Sequence, residues 1–423
     1  MYKAPRGTQD ILPSDQPHWQ WIRGWIEELC PLYGYERIDK PLFEATELFT
    51  RGVGESTEVV EKQMYTFQDK GGNSLTLLPE ATAPVMRAYL EHGMHVLAQP
   101  VKLYAILPIF RHDRPQAGRY RQFSQLNCEA IGEADPAVDA ESIALAWKFF
   151  HDLGLRELSL QLNSIGDGTC RPGYLESLVA HYRDHEDEIC DECRERMVKN
   201  PMRLMDCKRR RCQPVIDGSP KSAEFLCGPC DHHFRELRRP LDRLGLLYHL
   251  NHRLARGLDY YTRTVFEVWA PGIGAQAALV GGGRYDGLAE VLGGRPTPGV
   301  GFAAGLERTV LALKAQDLEP PSGAALGAFL AYLGDEEKAE AFSVAERLRA
   351  EGIPAVLGFG NRSLKAQMRE ADRSGAAYVL IVGAREREAG IVTVRDLATG
   401  TEVPVLQEEV VRWLKERAPV LAA

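Results

Sequence analysis

The segments VKLYAILPIF (101–110) and QFSQLNCEAI (122–131) flank the polar stretch RHDRPQAGRYR (111–121). Two apolar runs on either side of a short polar connection read as a strand, loop, strand hairpin. The loop carries Arg111, Arg114, Arg119 and Arg121. Four like charges in so short a connection repel one another unless something compensates them. A multi-anionic ligand would do so, because planar guanidinium forks match phosphate oxygens. A solvated loop with local ion pairs, for example to Asp113, is the simpler alternative. On the second strand Gln125, Asn127 and Glu129 share one face at period two with Phe123 and Ile131, while Leu126 lies on the other. That face reads either as the polar floor of a pocket or as a solvent-facing sheet surface.

On the N-terminal side, Ser14-Asp15 before Pro17 starts a helix, and Trp19, Ile22, Ile26 and Leu29 recur at helical spacing until Gly34. Tyr35 to Pro41 follows as a strand-like segment whose proline suits a sheet edge or a contact with another chain. Leu75 to Leu78 reads as a strand leading through Pro79-Glu80-Ala81-Thr82 into a helix with Val85, Met86 and Leu90. Beyond the hairpin come a helix over 137–153 and a strand over 157–163. Residues 170–245 change character, with charge-rich helical stretches, seven of the nine cysteines and the run Lys208-Arg209-Arg210-Arg211, and read as an insertion. Strand patterns resume at 248–251, 262–269 and 275–280, followed by a helix over 304–314. After the linker Leu318-Glu319-Pro320-Pro321-Ser322-Gly323 the pattern alternates strand and helix, as in a small α/β domain.

The 423 residues carry 51 Lys and Arg against 59 Asp and Glu, a formal charge of −8 that argues against a nucleic-acid coat over the whole surface. With 44% apolar and 26% charged residues, the chain is too apolar for disorder. The N-terminus lacks an apolar leader, and no uncharged apolar run approaches the ~18 residues of a membrane span, so a cytoplasmic protein is expected. An odd number of cysteines without a leader favours reduced thiols or metal ligands over disulfides. Cys190-x-x-Cys193 and Cys227-x-x-Cys230 could together form a four-thiolate zinc knuckle, with Cys207 and Cys212 as substitutes; structural thiols are the alternative.

Three glycine-bearing segments stand out. Arg256-Gly257-Leu258-Asp259-Tyr260-Tyr261 precedes a strand, Gly281-Gly282-Gly283-Arg284-Tyr285-Asp286 follows one, and Gly299-Val300-Gly301-Phe302-Ala303-Ala304 leads into a helix with Arg308 in its first turn. None is a Walker loop, because no Gly-Lys-Ser/Thr follows the glycines. The last has dinucleotide-fingerprint spacing but is preceded by Arg295-Pro296-Thr297-Pro298, where a buried strand should stand. It reads better as a glycine-rich strand packed closely against a neighbour. Arg308 gains nothing from the helix dipole there, and a nearby anion would account for it.

Together these segments resemble the bacterial-type histidyl-tRNA synthetases, a class II aminoacyl-tRNA synthetase family. Arg6-Gly7-Thr8-Gln9-Asp10 is similar to that family's opening, and the first helix with Pro41 to its dimer-forming motif 1. Residues 111–129 are similar to motif 2 and 299–308 to motif 3, while 256–261 and 282–286 resemble the two histidine-specific signatures. Ser124 stands where many members have histidine. The resemblance implies an α+β fold: a six-stranded antiparallel class II sheet flanked by helices, with a helical insertion and a C-terminal α/β anticodon-binding domain. The implied boundaries are 1–169 and 246–322 for the two parts of the catalytic core, 170–245 for the insertion and 323–423 for the anticodon-binding domain.

The activity implied is ATP-dependent ligation of L-histidine to tRNA(His) by a cytoplasmic homodimer, through a histidyl-adenylate, with release of AMP and pyrophosphate. By the resemblance Arg111 and Arg256 are catalytic, meeting the α-phosphate from two sides and also contacting histidine. Arg119, Tyr120 and Arg308 would join Arg111 in holding ATP. Glu80 and Thr82 would take the α-amino group, and Gln125, Glu129, Tyr260, Tyr261 and Tyr285 the imidazole. Mg²⁺ would come with ATP, and no resident metal or further cofactor is implied. The basic residues of the insertion suit either a tRNA backbone or a solvated surface. A synthetase-like regulatory subunit is the main rival, although such paralogues usually lack the C-terminal domain and the motif arginines retained here. A nicotinamide-dependent oxidoreductase fails for want of the strand and the ribose-binding acid its fingerprint needs.

Overall fold

The structure, a computed structural model, describes residues 2–55, 57–272, 278–321, 326–360 and 362–417. The chain divides into two compact units, Met1–Glu319 and Pro320–Ala423. The boundary read from sequence, 322/323, lies outside the described residues.

The first unit has a small three-stranded sheet, Phe43–Ala45, Thr66–Gln68 and Ser74–Leu77, and a main sheet of eight strands: β1 (Glu36–Arg37), β2 (Val101–Phe110), β3 (Gln122–Ile131), β4 (Ser159–Ser164), β5 (Tyr248–Leu250), β6 (Thr262–Trp269), β7 (Ala278–Arg284) and β8 (Gly299–Gly305). Their spatial order is β1-β2-β3-β8-β7-β6-β4-β5. The six central strands pair antiparallel. Beyond the six-stranded sheet that the resemblance implies, a parallel strand lies at each edge: β1 beside β2 and β5 beside β4. The strand expected over 35–41 is only two residues long and stops short of Pro41, which has no N–H to pair. Residues 275–277, expected to open β7, lie outside the described residues.

Period-two alternation sorts the central strands into two faces. One buries Leu126, Cys128, Ala130, Phe266, Val268, Val280, Val300 and Phe302 against helices α1 (Gln16–Leu32), α3 (Pro136–Asp152), α6 (Gly228–Arg243) and α7 (Leu306–Ala315). The other face carries Glu129, Gly301 and Gly283 in one register row and Asn127, Ala303, Gly281 and Glu267 in the next. Helix α2 (Thr82–Glu91) supplies Thr82 to that second face through a hydrogen bond to Glu129.

Arg284, paired with Val300, continues the alternation of β7 onto the helix-covered face, where it is fully buried. There it pairs with Asp139 of α3 through Nε and Nη2, and its Nη1 donates to Asp286 at 3.0 Å and to the Glu133 carbonyl at 3.0 Å. Asp139 also accepts from Thr264 (2.6 Å) and lies 2.8 Å from His233 Nε2 of α6. Burial pushes the Asp139 carboxyl up, but His233 and Arg284 outweigh it and hold the group below the usual carboxylate range. One carboxylate thus ties together a strand end and two helices.

The 170–245 stretch divides in two. Helices α4 (Arg171–Asp184) and α5 (Asp191–Lys199), with short 3₁₀ turns, surround a small core of their own. Helix α6 instead puts Phe234, Leu237 and Leu241 into the main core. This separates the cysteines differently from the sequence reading. Cys190 and Cys193 lie with Cys207 and Cys212, whereas Cys227 and Cys230 lie with Asp167 and Cys170. The packing of α6 holds its two cysteines away from Cys190, while the turn over Pro201–Asp206 brings the chain back to it.

The second unit has strands β9 (Ala328–Tyr332), β10 (Ala355–Leu357), β11 (Tyr378–Val382), β12 (Ile391–Asp396) and β13 (Glu402–Leu406) in the order β10-β9-β11-β12-β13. The first three are parallel and the last two add antiparallel. Helix α8 (Asp335–Ala350) buries Ala341, Val344, Ala345 and Leu348 in its core. No helix among the described residues is long and apolar enough to cross a membrane.

Removing one partner of the Asp139 node leaves the other charge buried. Asp139→Ala is expected to cost about 3–5 kcal/mol in equilibrium urea unfolding. A loss below about 1 kcal/mol would show that the node does not hold the helices to the sheet.

Candidate active site

The floor of the site follows from the row Glu129, Gly301, Gly283. Glu129 is 1% exposed and accepts hydrogen bonds from Thr82 Oγ1 (2.7 Å) and Tyr285 Oη (2.6 Å). Gly301 pairs directly with Glu129, and a Cβ there would overlap the Glu129 carboxylate. The glycine-rich strand is therefore required by the side chain beside it. Burial pushes the Glu129 carboxyl up to about 8, with the two hydroxyl donors offsetting only part of that rise.

Glu80, just before α2, accepts the N–H groups of Thr82 (2.8 Å) and Ala83 (3.0 Å), and Tyr260 Oη lies 3.3 Å away. Burial again dominates and raises its carboxyl above the ordinary value, against those N–H groups and the Arg111 charge. Tyr260 packs on Tyr261 and Tyr285 at ring separations of 4.7 and 5.9 Å. Two carboxyls and three tyrosines thus form one buried polar wall. Asn127 sits on the same strand face, 2% exposed, and its Oδ1 has no hydrogen-bond partner among the described residues.

The guanidiniums come from three separate segments: the 111–121 loop, the stretch before β6 and the first turn of α7. Arg111, at the end of β2, donates Nε to the Pro79 carbonyl (2.7 Å), lies over Phe123 and makes no ion pair among the described residues. Arg256 pairs with Glu267 of β6 and lies over the Tyr261 ring at 5.7 Å. Glu267 is itself held by Trp269 Nε1 at 2.7 Å. A Cβ on Gly281 would occupy the place of the Arg256 guanidinium. Arg308 donates Nε to the Gly118 carbonyl (3.0 Å) and Nη1 to the Ala278 carbonyl (2.8 Å), so it pins the hairpin loop to α7. Arg119 pairs with Asp113 inside that loop.

These cations feel one another. Burial is the main cause that lowers Arg111 and Arg308, and repulsion from both Arg119 and Arg256 lowers each further. Burial also pulls Arg256 down, but Glu267 and Tyr261 outweigh it and raise the group. Glu80 offsets part of this at Arg111, and Glu267 and Asp113 part of it at Arg308; a multi-anionic ligand would relieve what remains. The acidic groups on this side, Glu267 and Asp113, are each engaged by an arginine. Those donors suit a magnesium ion that arrives on phosphate oxygens rather than one held by a protein cage.

The structure therefore links Glu80, Thr82, Glu129, Tyr260, Tyr261, Tyr285, Arg111, Arg119, Arg256 and Arg308 through one connected set of contacts and charge interactions. Tyr120 is half-buried in the loop and Gln125 half-buried on β3, and neither has a side-chain hydrogen bond among the described residues. Sequence reasoning missed Glu267. Its signal was an acidic residue inside the otherwise uncharged run Val265 to Trp269, in register with a glycine. The N-terminal run closes the loop from outside, with the Arg121 N–H donating to the Gly7 carbonyl at 2.7 Å.

A family model described as histidyl-tRNA synthetase matches residues 7–167 and 230–309, and one described as anticodon binding domain matches 328–417. The chain is 53% identical to the histidine–tRNA ligase of Desulforudis audaxviator over 420 residues, 99% of each chain. It is 48% identical to that of Dehalococcoides mccartyi over 417 residues, 99% of this chain and 100% of the relative. The crystal structure of apo S. aureus histidyl-tRNA synthetase matches with a TM-score of 0.82 and 38% identity, covering 98% of this chain and 100% of that one.

The Glu129 shift fixes a pH dependence. Between the ordinary carboxyl value near 4.5 and about 8, the native state keeps a proton that the unfolded chain has released, so stability falls as pH rises through that window. Glu129→Gln removes the effect. Relative to this variant the wild-type melting temperature should be lower at pH 8 than at pH 5, and a gap independent of pH would show Glu129 to be ionised throughout.

Proposed function

The chain belongs to the histidyl-tRNA synthetase family, and on that premise we propose that it activates L-histidine with ATP and transfers it to tRNA(His). The observation that carries this reading is the meeting of Arg111 and Arg256, from segments far apart in sequence, beside the buried Glu80, Thr82 and Glu129 wall.

The wall selects the amino acid. Glu80 and Thr82 face the α-ammonium, which supplies the positive charge that an ionised buried carboxyl needs. Glu129, Tyr260, Tyr261, Tyr285 and Gln125 face the imidazole. A site that pairs both ring nitrogens rejects apolar competitors strongly, because the polar groups would be left unpaired around them.

The arginines carry the first chemical step. The histidine carboxylate attacks the α-phosphorus of ATP, the bond to the β-phosphate oxygen breaks, and pyrophosphate leaves with the bonding pair. Negative charge builds on the α-phosphate oxygens in the transition state. Guanidiniums already fixed there stabilise it without reorganising. Arg256 is held for this by Glu267 below and Tyr261 alongside, and Arg111 by the Pro79 carbonyl. Arg119, Tyr120 and Arg308 hold the rest of ATP, and Mg²⁺ bound through the phosphates shields their charge. The terminal ribose hydroxyl of the tRNA then attacks the histidyl-adenylate, releasing AMP.

The domain boundaries and the assembly belong to the same proposal. Residues 1–169 and 246–322 make up the catalytic core around an insertion at 170–245, and 323–423 read the tRNA. The protein works in the cytoplasm as a homodimer through α1 and the 36–41 segment, near which Leu32, Leu42 and Phe43 stay exposed at 74%, 42% and 48%. A regulatory, non-catalytic role finds no particular support in a site that keeps every motif arginine.

Purified protein should catalyse histidine-dependent exchange of pyrophosphate into ATP. Normal folding without exchange would favour the regulatory role. In the same assay Arg256→Ala should lower kcat by about 10²–10³-fold while ATP affinity changes far less. Equal losses in both would make Arg256 a ground-state binding residue.

A further inference from the structure

The small core formed by α4, α5 and the turns after them contains thirteen buried residues, and four of these are Cys190, Cys193, Cys207 and Cys212. They are 6%, 0%, 5% and 0% exposed, and none is in a disulfide. Their four sulfurs lie within 4.8 Å of one another. A tetrahedral ion bound to four sulfurs at about 2.3 Å separates each sulfur pair by about 3.8 Å, so these side chains already stand near that arrangement.

The backbone supports the same reading. Cys190 and Cys193 form a C-x-x-C step at the N-terminus of α5, while Cys207 and Cys212 bracket a tight turn. The N–H of Cys190 points at the Cys212 sulfur (3.3 Å) and the N–H of Arg209 at the Cys207 sulfur (3.4 Å). Such donors stabilise a thiolate rather than a thiol. The exposed run Lys208 to Arg211, between Cys207 and Cys212, supplies positive charge beside it, as a doubly negative metal tetrathiolate needs. The surrounding segment has no strand among its described residues and a core of only thirteen buried residues, of the kind that ordinarily needs a staple.

We propose that Cys190, Cys193, Cys207 and Cys212 bind one zinc ion as a structural tetrathiolate site that closes this segment. Four soft thiolates in a closed, buried set select zinc over hard cations and leave no open position for catalysis. The neighbouring group Asp167, Cys170, Cys227 and Cys230 is different. Three of its members are half-exposed, and its carboxylate already engages the Thr169 N–H (3.0 Å) and Arg263 (3.5 Å). The site also has a mechanical consequence. Both ends of the Lys208 to Arg211 loop become anchored to metal, so its cations are held out toward solvent as a rigid group.

The full-length chain, purified without chelator and passed through gel filtration, should retain about one zinc per chain by elemental analysis. Zinc should fall about tenfold or more in Cys207→Ser and Cys212→Ser and persist in Cys227→Ser and Cys230→Ser. Cobalt exchanged into the wild-type chain should give the intense thiolate-to-metal absorption of a tetrahedral site, a readout that needs no variant to fold and no enzymatic activity. A wild-type chain that holds no zinc and gives no such absorption, or zinc lost with Cys227 and kept without Cys207, would overturn the proposal.

Discussion

Several guanidiniums cannot share a water-poor cavity unless each is held by something stronger than its dislike of the others. That constraint organises the site. Arg256 is held by Glu267 and lies where a glycine leaves room, Arg308 is held by two carbonyls, and Arg119 by Asp113. Arg111 has one carbonyl, a phenyl ring and no ion pair among the described residues. The residual repulsion is the driving force for taking up an anion, and because the holding groups are rigid, little of it is lost to rearrangement.

The glycines and the carboxylates are two halves of one design. Where a large charged side chain rises from one strand, the strand or register partner beside it carries no side chain: Gly301 next to Glu129, Gly281 next to Glu267 and beneath Arg256. Beneath the sheet the opposite solution holds. Arg284 is fully buried and satisfied on every side by Asp139, Asp286 and carbonyls, so the tyrosine that follows it is delivered to the upper face at a fixed position.

Much of this could be read in advance. The hairpin of 101–131 was legible because its strands are long and apolar and its loop is short and charged. The alternation that puts Gln125, Asn127 and Glu129 on one face survived because the β2-β3 pairing runs without a bulge. Other parts were not legible. The burial of Arg284 was not legible because the carboxylate that satisfies it, Asp139, lies 145 residues away in the chain. Glu267 lay in a run that read simply as strand, and its role appears only when Gly281 and Arg256 are brought beside it. The cysteine groups were misassigned because C-x-x-C spacing is local, whereas the partner of each pair is decided by where α6 packs.

The strand order carries a consequence for biosynthesis. Strand β8 lies between β3 and β7, so the 101–131 hairpin keeps one long unpaired edge until Gly305 has been made. A nascent chain halted before β8 would display that edge with the Glu129 carboxyl not yet enclosed by Gly301. The interval between emergence of the two strands is when holdase chaperones would be most valuable to this fold.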